Sequence, residues 1–281
     1  MLFSYHTHTE FCDGRASAAS MAHHAHQAGY SYLGFSSHAP LPFDTNWNMR
    51  WERLGDYAAT IGALKNTYDS KGMTILLGLE IDYIENLVHP SDSVYDRIQP
   101  EFRLGSVHYI TPEEGEAFTV DENSTDFAQH VKLSCHGDHS ILWKQYYRNL
   151  TAMIEKGGFD IIAHFDIVRK NNQNGMYFDE DSPAYLEAAF KAIDMAASKD
   201  IVAEINTGGI ARGKTLTPYP SMTLLKHMRA RNVRITIGDD AHGPSHLGAY
   251  QQTAREWAKA AGYSSFFYLK QKGEWAEIGI D

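Results

Sequence analysis

Along this chain, short runs of apolar, β-branched or aromatic residues alternate with longer stretches whose apolar positions recur every three or four residues. The short runs predict strands at 2–5, 31–36, 74–79, 102–107, 159–163, 201–205 and 233–237, and an eighth apolar run lies at 265–269. The longer stretches predict helices at 17–28, 51–70, 124–134, 139–156, 183–198, 221–231 and 246–261. Ser182 followed by Pro183 reads as an N-cap with proline at the first helical position. Gly29, Gly72 and Gly262 sit where helices should stop. Repeated strand–helix alternation predicts a mostly parallel sheet with helices outside it, and seven or eight such units predict a closed α/β barrel. Without a linker, low-complexity tract or break in composition, the pattern reads as one domain over 1–281. The least regular stretches, 39–50 with Pro40, Pro42 and Trp47 and the acidic 111–123, are expected as loops over a site.

Composition narrows the setting. The 281 residues are 43% apolar and 21% charged, as in a water-soluble globular protein, and no apolar stretch approaches the roughly 18 residues of a membrane span. The N-terminus lacks a basic segment followed by an apolar one, so no signal peptide is read. Cys12 and Cys135 make neither a disulfide framework nor zinc-finger spacing. A cytoplasmic protein is expected. A net charge of −10 argues against nucleic acid as a partner, because phosphate contacts need clustered Lys and Arg. The outlying count is histidine, at 15.

Six of those histidines share a placement. His6 and His8 end the first strand, His38 follows the second, His108 ends the fourth, His164 ends the fifth and His242 follows the seventh. Glu80 ends the third strand, Asp240 follows the seventh, and Asp13 lies in the loop after the first. In a parallel barrel these strand ends share the face where active sites lie. His6-x-His8 sits on extended chain, so both rings point the same way; Asp240-x-His242 repeats the spacing. Imidazole with carboxylate suits Zn, Fe or Mn rather than a soft thiolate site. One tetrahedral ion needs about four ligands. Nine ligand-type residues with a bridging carboxylate therefore serve two or three ions. The other nine histidines, including His23, His24 and His26 on the first predicted helix, lie outside this pattern and are read as structural or solvated.

The ordered set His6-Thr7-His8-Thr9, Asp13-Gly14, Ser37-His38, Gly78-Leu79-Glu80, Gly105-Ser106-Val107-His108, Ala163-His164 and Gly238-Asp239-Asp240-Ala241-His242 resembles the polymerase and histidinol phosphatase (PHP) superfamily from end to end. The resemblance implies a distorted seven-stranded (β/α) barrel and a site for three divalent ions. It implies one ion on His6, His8, Glu80 and Asp240, a second on Glu80, His108 and His164, and a third on Asp13, His38 and His242. Within the superfamily the chain is most similar to the monofunctional histidinol-phosphate phosphatases. The length, the Gly78-Leu79-Glu80-Ile81-Asp82-Tyr83 segment and the Glu204-Ile205-Asn206-Thr207-Gly208-Gly209 block with Tyr219-Pro220-Ser221 carry that likeness.

The expected activity is hydrolysis of a small phosphate monoester, with L-histidinol phosphate the ester the resemblance implies. Ions lower the pKa of a water and neutralise phosphoryl oxygens. Glu80 is expected as the bridge, and Asp240 or His242 as the group passing a proton to the leaving alkoxide. Arg169 and Arg212 follow ligand-bearing strand ends and are expected as phosphate clamps. Phe43, Trp47 and Trp51 are expected either to pack on an imidazole or to serve as core. Three other readings stay open: a phosphoesterase acting on nucleotides or other small esters, a metal-dependent amidohydrolase, and a metal-binding protein without catalysis.

Overall fold

The computed structural model describes residues 1–112 and 117–280. In chain order the elements are β1 (Leu2–Ser4), α1 (Ala18–Gln27), β2 (Tyr30–Phe35), α2 (Leu54–Asp69), β3 (Thr74–Asp82), β4 (Phe102–Ser106), β5 (Tyr109–Ile110), β6 (Phe118–Thr119), α3 (Ser124–Ser134), α4 (Ser140–Lys156), β7 (Ile161–Ile162), α5 (Pro183–Ser198), β8 (Val202–Asn206), α6 (Gly208–Ala211), α7 (Met222–Ala230), β9 (Ile235–Gly238), α8 (Gln251–Ala260), β10 (Ser265–Gln271) and β11 (Glu274–Gly279). Every strand expected from the pattern forms. Pro183 opens α5 behind Ser182, and Gly29, Gly72 and Gly262 follow α1, α2 and α8 with φ of 85°, 78° and 92°. The last long helix starts at Gln251 rather than at 246, because a short turn at Pro244–His246 and Gly248, at φ 71°, precede it.

Seven strands make one parallel sheet in the order β1-β2-β3-β4-β7-β8-β9. The two ends of that sheet meet through a parallel bridge between Thr7 and Ala241, where His8 N donates to Ala241 O at 2.9 Å and Ala241 N to His6 O at 3.2 Å. The barrel is thus nearly closed, and the closing contact lies among ligand-type residues. The eighth apolar run does not join this sheet. It pairs antiparallel with β11 as a hairpin against the β1–β9 seam, where Tyr5 Oη donates to Leu269 O at 2.9 Å. β5, just before the stretch expected as the acidic loop, and β6 within it form a second small hairpin; residues 113–116 of that loop lie outside the described residues.

Amphipathic helices cover the barrel. α4 shows the physics: Leu142, Trp143, Tyr146, Tyr147, Leu150, Met153 and Ile154 recur at helical spacing and are buried. Strands buried on both faces read as continuous apolar runs, as all five positions of β8 do except at Glu204 and Asn206. Among the described residues no helix is long and apolar enough to cross a membrane.

Candidate active site

The strand ends bring the nine ligand-type residues together. Glu80 lies among five imidazoles: its Oε1 is 2.9 Å from His164 Nε2 and 3.7 Å from His108 Nε2. Its Oε2 is 3.0 Å from His38 Nδ1, 3.1 Å from His6 Nε2 and 3.5 Å from His8 Nε2. Asp240 Oδ1 stands 3.4 Å from His8 Nε2, and Asp13 Oδ2 3.1 Å from His242 Nε2. Four overlapping groups can each hold an ion: His8 with Asp13, His38 and His242; His6 with Glu80 and His164; His6 and His8 with Asp240; and His38 with Glu80 and His108. His8 Nε2, His38 Nδ1 and Asp13 Oδ1 are buried, and although they stand close to carboxylate or imidazole neighbours, none makes a hydrogen bond of proper geometry. Buried polar atoms without partners that converge on carboxylates are what a site for divalent ions requires, so the residues present fit such ions.

Electrostatics within the cluster follows from burial and crowding. Burial opposes charge on Glu80, but His38, His6 and His164 hold it well below the usual carboxylate range. Burial likewise opposes charge on Asp240, and Arg212 and His6 overcome it. His8 goes the other way: burial, His242 and His38 push it down to about 3, which leaves its ring neutral and able to ligate. His108 is raised to about 10, since Asp82 outweighs burial. Asp240 also adopts a left-handed backbone, φ 49°, which a side chain with a Cβ rarely takes. Gly208 leaves room for it, because a Cβ there would lie 2.6 Å from Asp240 Oδ2.

A cavity of about 530 Å³ opens over the cluster. Both expected loops contribute to its wall, Asn46 and Trp47 from the first and Asp121, Glu122 and Asn123 from the second. Trp47 meets His38 edge-on at 4.7 Å between ring centres, whereas Trp51 stacks on Tyr95 and Phe43 meets Tyr109, away from any imidazole. Arg212 lines the cavity, with Nη2 2.9 Å from Asp240 Oδ2 and Nη1 3.0 Å from His242 Nδ1. Arg169 does not line it. Its Nε donates to Asp166 at 2.9 Å, its Nη1 to Thr217 at 3.2 Å and its Nη2 to the Pro218 carbonyl, and the guanidinium lies over the Tyr219 ring. The guanidinium expected as a phosphate clamp is thus engaged with Asp166 and the segment Thr217, Pro218 and Tyr219. Lys170, Lys214 and Arg15 line the cavity instead.

Two carboxylates stand in motifs quoted from the sequence but carry no assigned role there. Glu204 Oε1 accepts from His6 Nδ1 at 2.9 Å, and Asp82 Oδ1 from His108 Nδ1 at 2.7 Å. Each orients a ring so that its Nε2 faces Glu80. The available signal was a carboxylate inside an otherwise apolar buried strand.

A model of the PHP domain matches residues 4–208, well over half of the chain. The chain belongs to the PHP family. Among curated relatives, a Deinococcus radiodurans protein named "Probable histidinol-phosphatase" is 30% identical over 247 residues, which is 86% of this chain and 87% of that one. The histidinol-phosphatase of Bacillus subtilis is 24% identical over 264 residues, 88% of this chain and 96% of its own. The barrel is also that of solved structures. A Listeria monocytogenes protein superposes with a TM-score of 0.79 at 20% identity, covering 89% of this chain and 99% of its own. The histidinol phosphate phosphatase of Lactococcus lactis, solved with zinc, L-histidinol and phosphate, gives 0.63 at 19% identity, covering 95% and 96%.

Proposed function

We propose that this PHP protein is a metal-dependent phosphomonoesterase that hydrolyses L-histidinol phosphate to L-histidinol and phosphate. The observation that carries the reading is a single cavity with two chemistries. Its floor is the histidine–carboxylate cluster beside Arg212, and its wall holds the acidic side chains Asp121, Glu122 and Asp126. Such a cavity suits an ester with phosphate at one end and a cationic group at the other, as histidinol phosphate has. A nucleotide lacks that cation, and with a net charge of −10 a nucleic-acid partner is not proposed. The names of the two curated relatives support the same ester. Two unbridged cysteines suit the reducing cytoplasm, where we place the activity.

Three divalent ions, Zn, Fe or Mn, would be held by His6, His8, Glu80 and Asp240, by Glu80, His108 and His164, and by Asp13, His38 and His242. When bound, they supply a deprotonated water near neutral pH and neutralise phosphoryl oxygens during in-line attack. The chain's own contribution is position and charge. Arg212, held at the cavity floor by Asp240, offers its guanidinium to the phosphoryl oxygens. Asp240 and His242 line the same floor, and one of them is assigned to pass a proton to the leaving alkoxide.

A panel assay tests the reading. Histidinol phosphate is expected to turn over with a kcat/KM well above that of nucleotide monophosphates; equal or better hydrolysis of nucleotides overturns the choice of ester. Full activity after thorough metal stripping would remove the metal mechanism, and undiminished turnover in Glu80→Ala would sink the bridge.

A further inference from the structure

Glu204 is a fully buried carboxylate in the middle of β8, and no step of the proposed reaction uses it. A carboxylate taken out of water persists only where its oxygens are well bonded. Here Oε1 accepts from His6 Nδ1 at 2.9 Å, from His164 N at 2.9 Å and from Asn206 Nδ2 at 2.6 Å. Oε2 lies 3.1 Å from the same His6 nitrogen. The pocket for it is cut by Gly238 on β9, where a Cβ would fall 2.0 Å from Oε2. One side chain thus ties together His6, beyond the end of β1, and His164, which follows β7, in a space that Gly238 of β9 leaves open. His164, whose amide it binds, sits at φ 22°, outside ordinary strand geometry.

The charge matters as well as the shape. Both oxygens facing His6 Nδ1 are acceptors, so with an ion on Nε2 the ring would keep its proton on Nδ1 and give the Nε2 lone pair to the ion, on the side of Glu80 and Asp240, 3.1 and 3.9 Å away. A glutamine in the same place could still accept from the His164 amide and from Asn206. Its Oε1 would also stay 2.9 Å from His6 Nδ1, but its NH₂ would stand where Oε2 lies, 3.1 Å from that nitrogen, setting a donor against a donor and removing the negative charge that favours the proton on Nδ1. Asp82 makes the matching contact with His108, but it reaches a single ligand residue.

We infer that Glu204 is the positioning residue that sets the ion affinity of the cluster, by fixing the His6 tautomer and the His164 backbone at once. The inference rests on the metal reading proposed above. The test is zinc affinity of the stripped, full-length chain, measured by competition with a chelator and by metal content, for wild type, Glu204→Gln and Glu204→Asp. Circular dichroism checks that each ion-free chain is folded. Glu204→Gln is expected to weaken zinc binding about 10- to 100-fold, and Glu204→Asp, which keeps the charge, to lose less. Zinc binding by Glu204→Gln equal to wild type overturns the inference, and so does a larger loss in Glu204→Asp than in Glu204→Gln, which would make the role one of shape. Failure of wild type itself to bind zinc sinks the metal reading and this one with it, so the two failures are told apart. If Glu204→Gln does not fold without metal, the comparison of Glu204→Asp with wild type decides: unchanged affinity supports the charge role, and a 10-fold or greater loss overturns it.

Discussion

Arg212 holds its guanidinium 2.7 Å from the Asp240 carbonyl and 2.9 Å from its carboxylate, at the floor of the cavity. Under the proposed reading its charge already stands where it can meet the phosphoryl group, so little rearrangement is needed. Arg212→Gln is expected to lower kcat/KM for histidinol phosphate by about 100-fold and to weaken inhibition by inorganic phosphate, with zinc content unchanged. Unaltered phosphate inhibition would remove the clamp. Arg169 follows a ligand-bearing strand end in the same way, yet its side chain is 9% exposed and paired with Asp166, which is wholly buried. Arg169→Met leaves that carboxylate without its counter-charge, and the expected cost is about 3–5 kcal/mol of stability, read by denaturant unfolding; a loss of activity at full stability would return Arg169 to the phosphate. The sequence distinguishes residue types but not partners. That is why histidines and carboxylates at strand ends were legible as a candidate ligand set, while the contacts of Glu204 and Asp82, whose partners lie on other strands or loops, were not.

At the scale of elements, alternation of short apolar runs and helical patterns was enough to place the seven barrel strands, because strands buried on both faces and amphipathic helices leave opposite signatures. The same signature could not say which sheet the run from 265 joins. Lys272 and Gly273, at φ 73°, turn the chain back, so β10 pairs with β11 instead of extending the barrel. β5 and β6, of two residues each, are too short to leave any periodic trace. Where elements meet the site, clearance is set by residues without side chains. Gly208 opens α6 directly beneath Asp240, and a Cβ would lie 2.6 Å from both the Cβ and Oδ2 of that residue. Gly208→Ala is expected to displace Asp240 and lower kcat at least about tenfold, since a shift of roughly 1 Å in a catalytic group is costly. Thermal unfolding should move by only a few degrees. Wild-type kcat in this variant would show that Asp240 needs no fixed position.

At the scale of the whole molecule, the cluster joins the ends of strands that are far apart in the chain, from His6 beside β1 to His242 beyond β9, across the seam where the barrel closes. Ions bound there hold the folded chain and have no site of equal quality in the unfolded one, so loading should stabilise the barrel. At a free ion concentration 100 times Kd the gain is about 2.7 kcal/mol, or about 5 °C or more in Tm for a chain of this size. The gain should depend on pH with a definite sign. Burial works against charge on His6, His38 and His108, but their carboxylate neighbours raise all three above the ordinary imidazole value, His108 to about 10. In the ion-free chain, stability drawn from these raised groups is fully present below the ordinary value of 6.5 and is lost as pH climbs toward 10. Ion binding needs the same rings neutral, so it displaces protons and strengthens over that interval. Both effects act together: the rise in Tm on adding zinc to the stripped protein should grow from pH 6.5 to 8.5, and calorimetry in buffers of different ionisation enthalpy should show net proton release. A zinc-induced rise in Tm that shrinks with increasing pH would mean that the ions bind elsewhere than among these imidazoles.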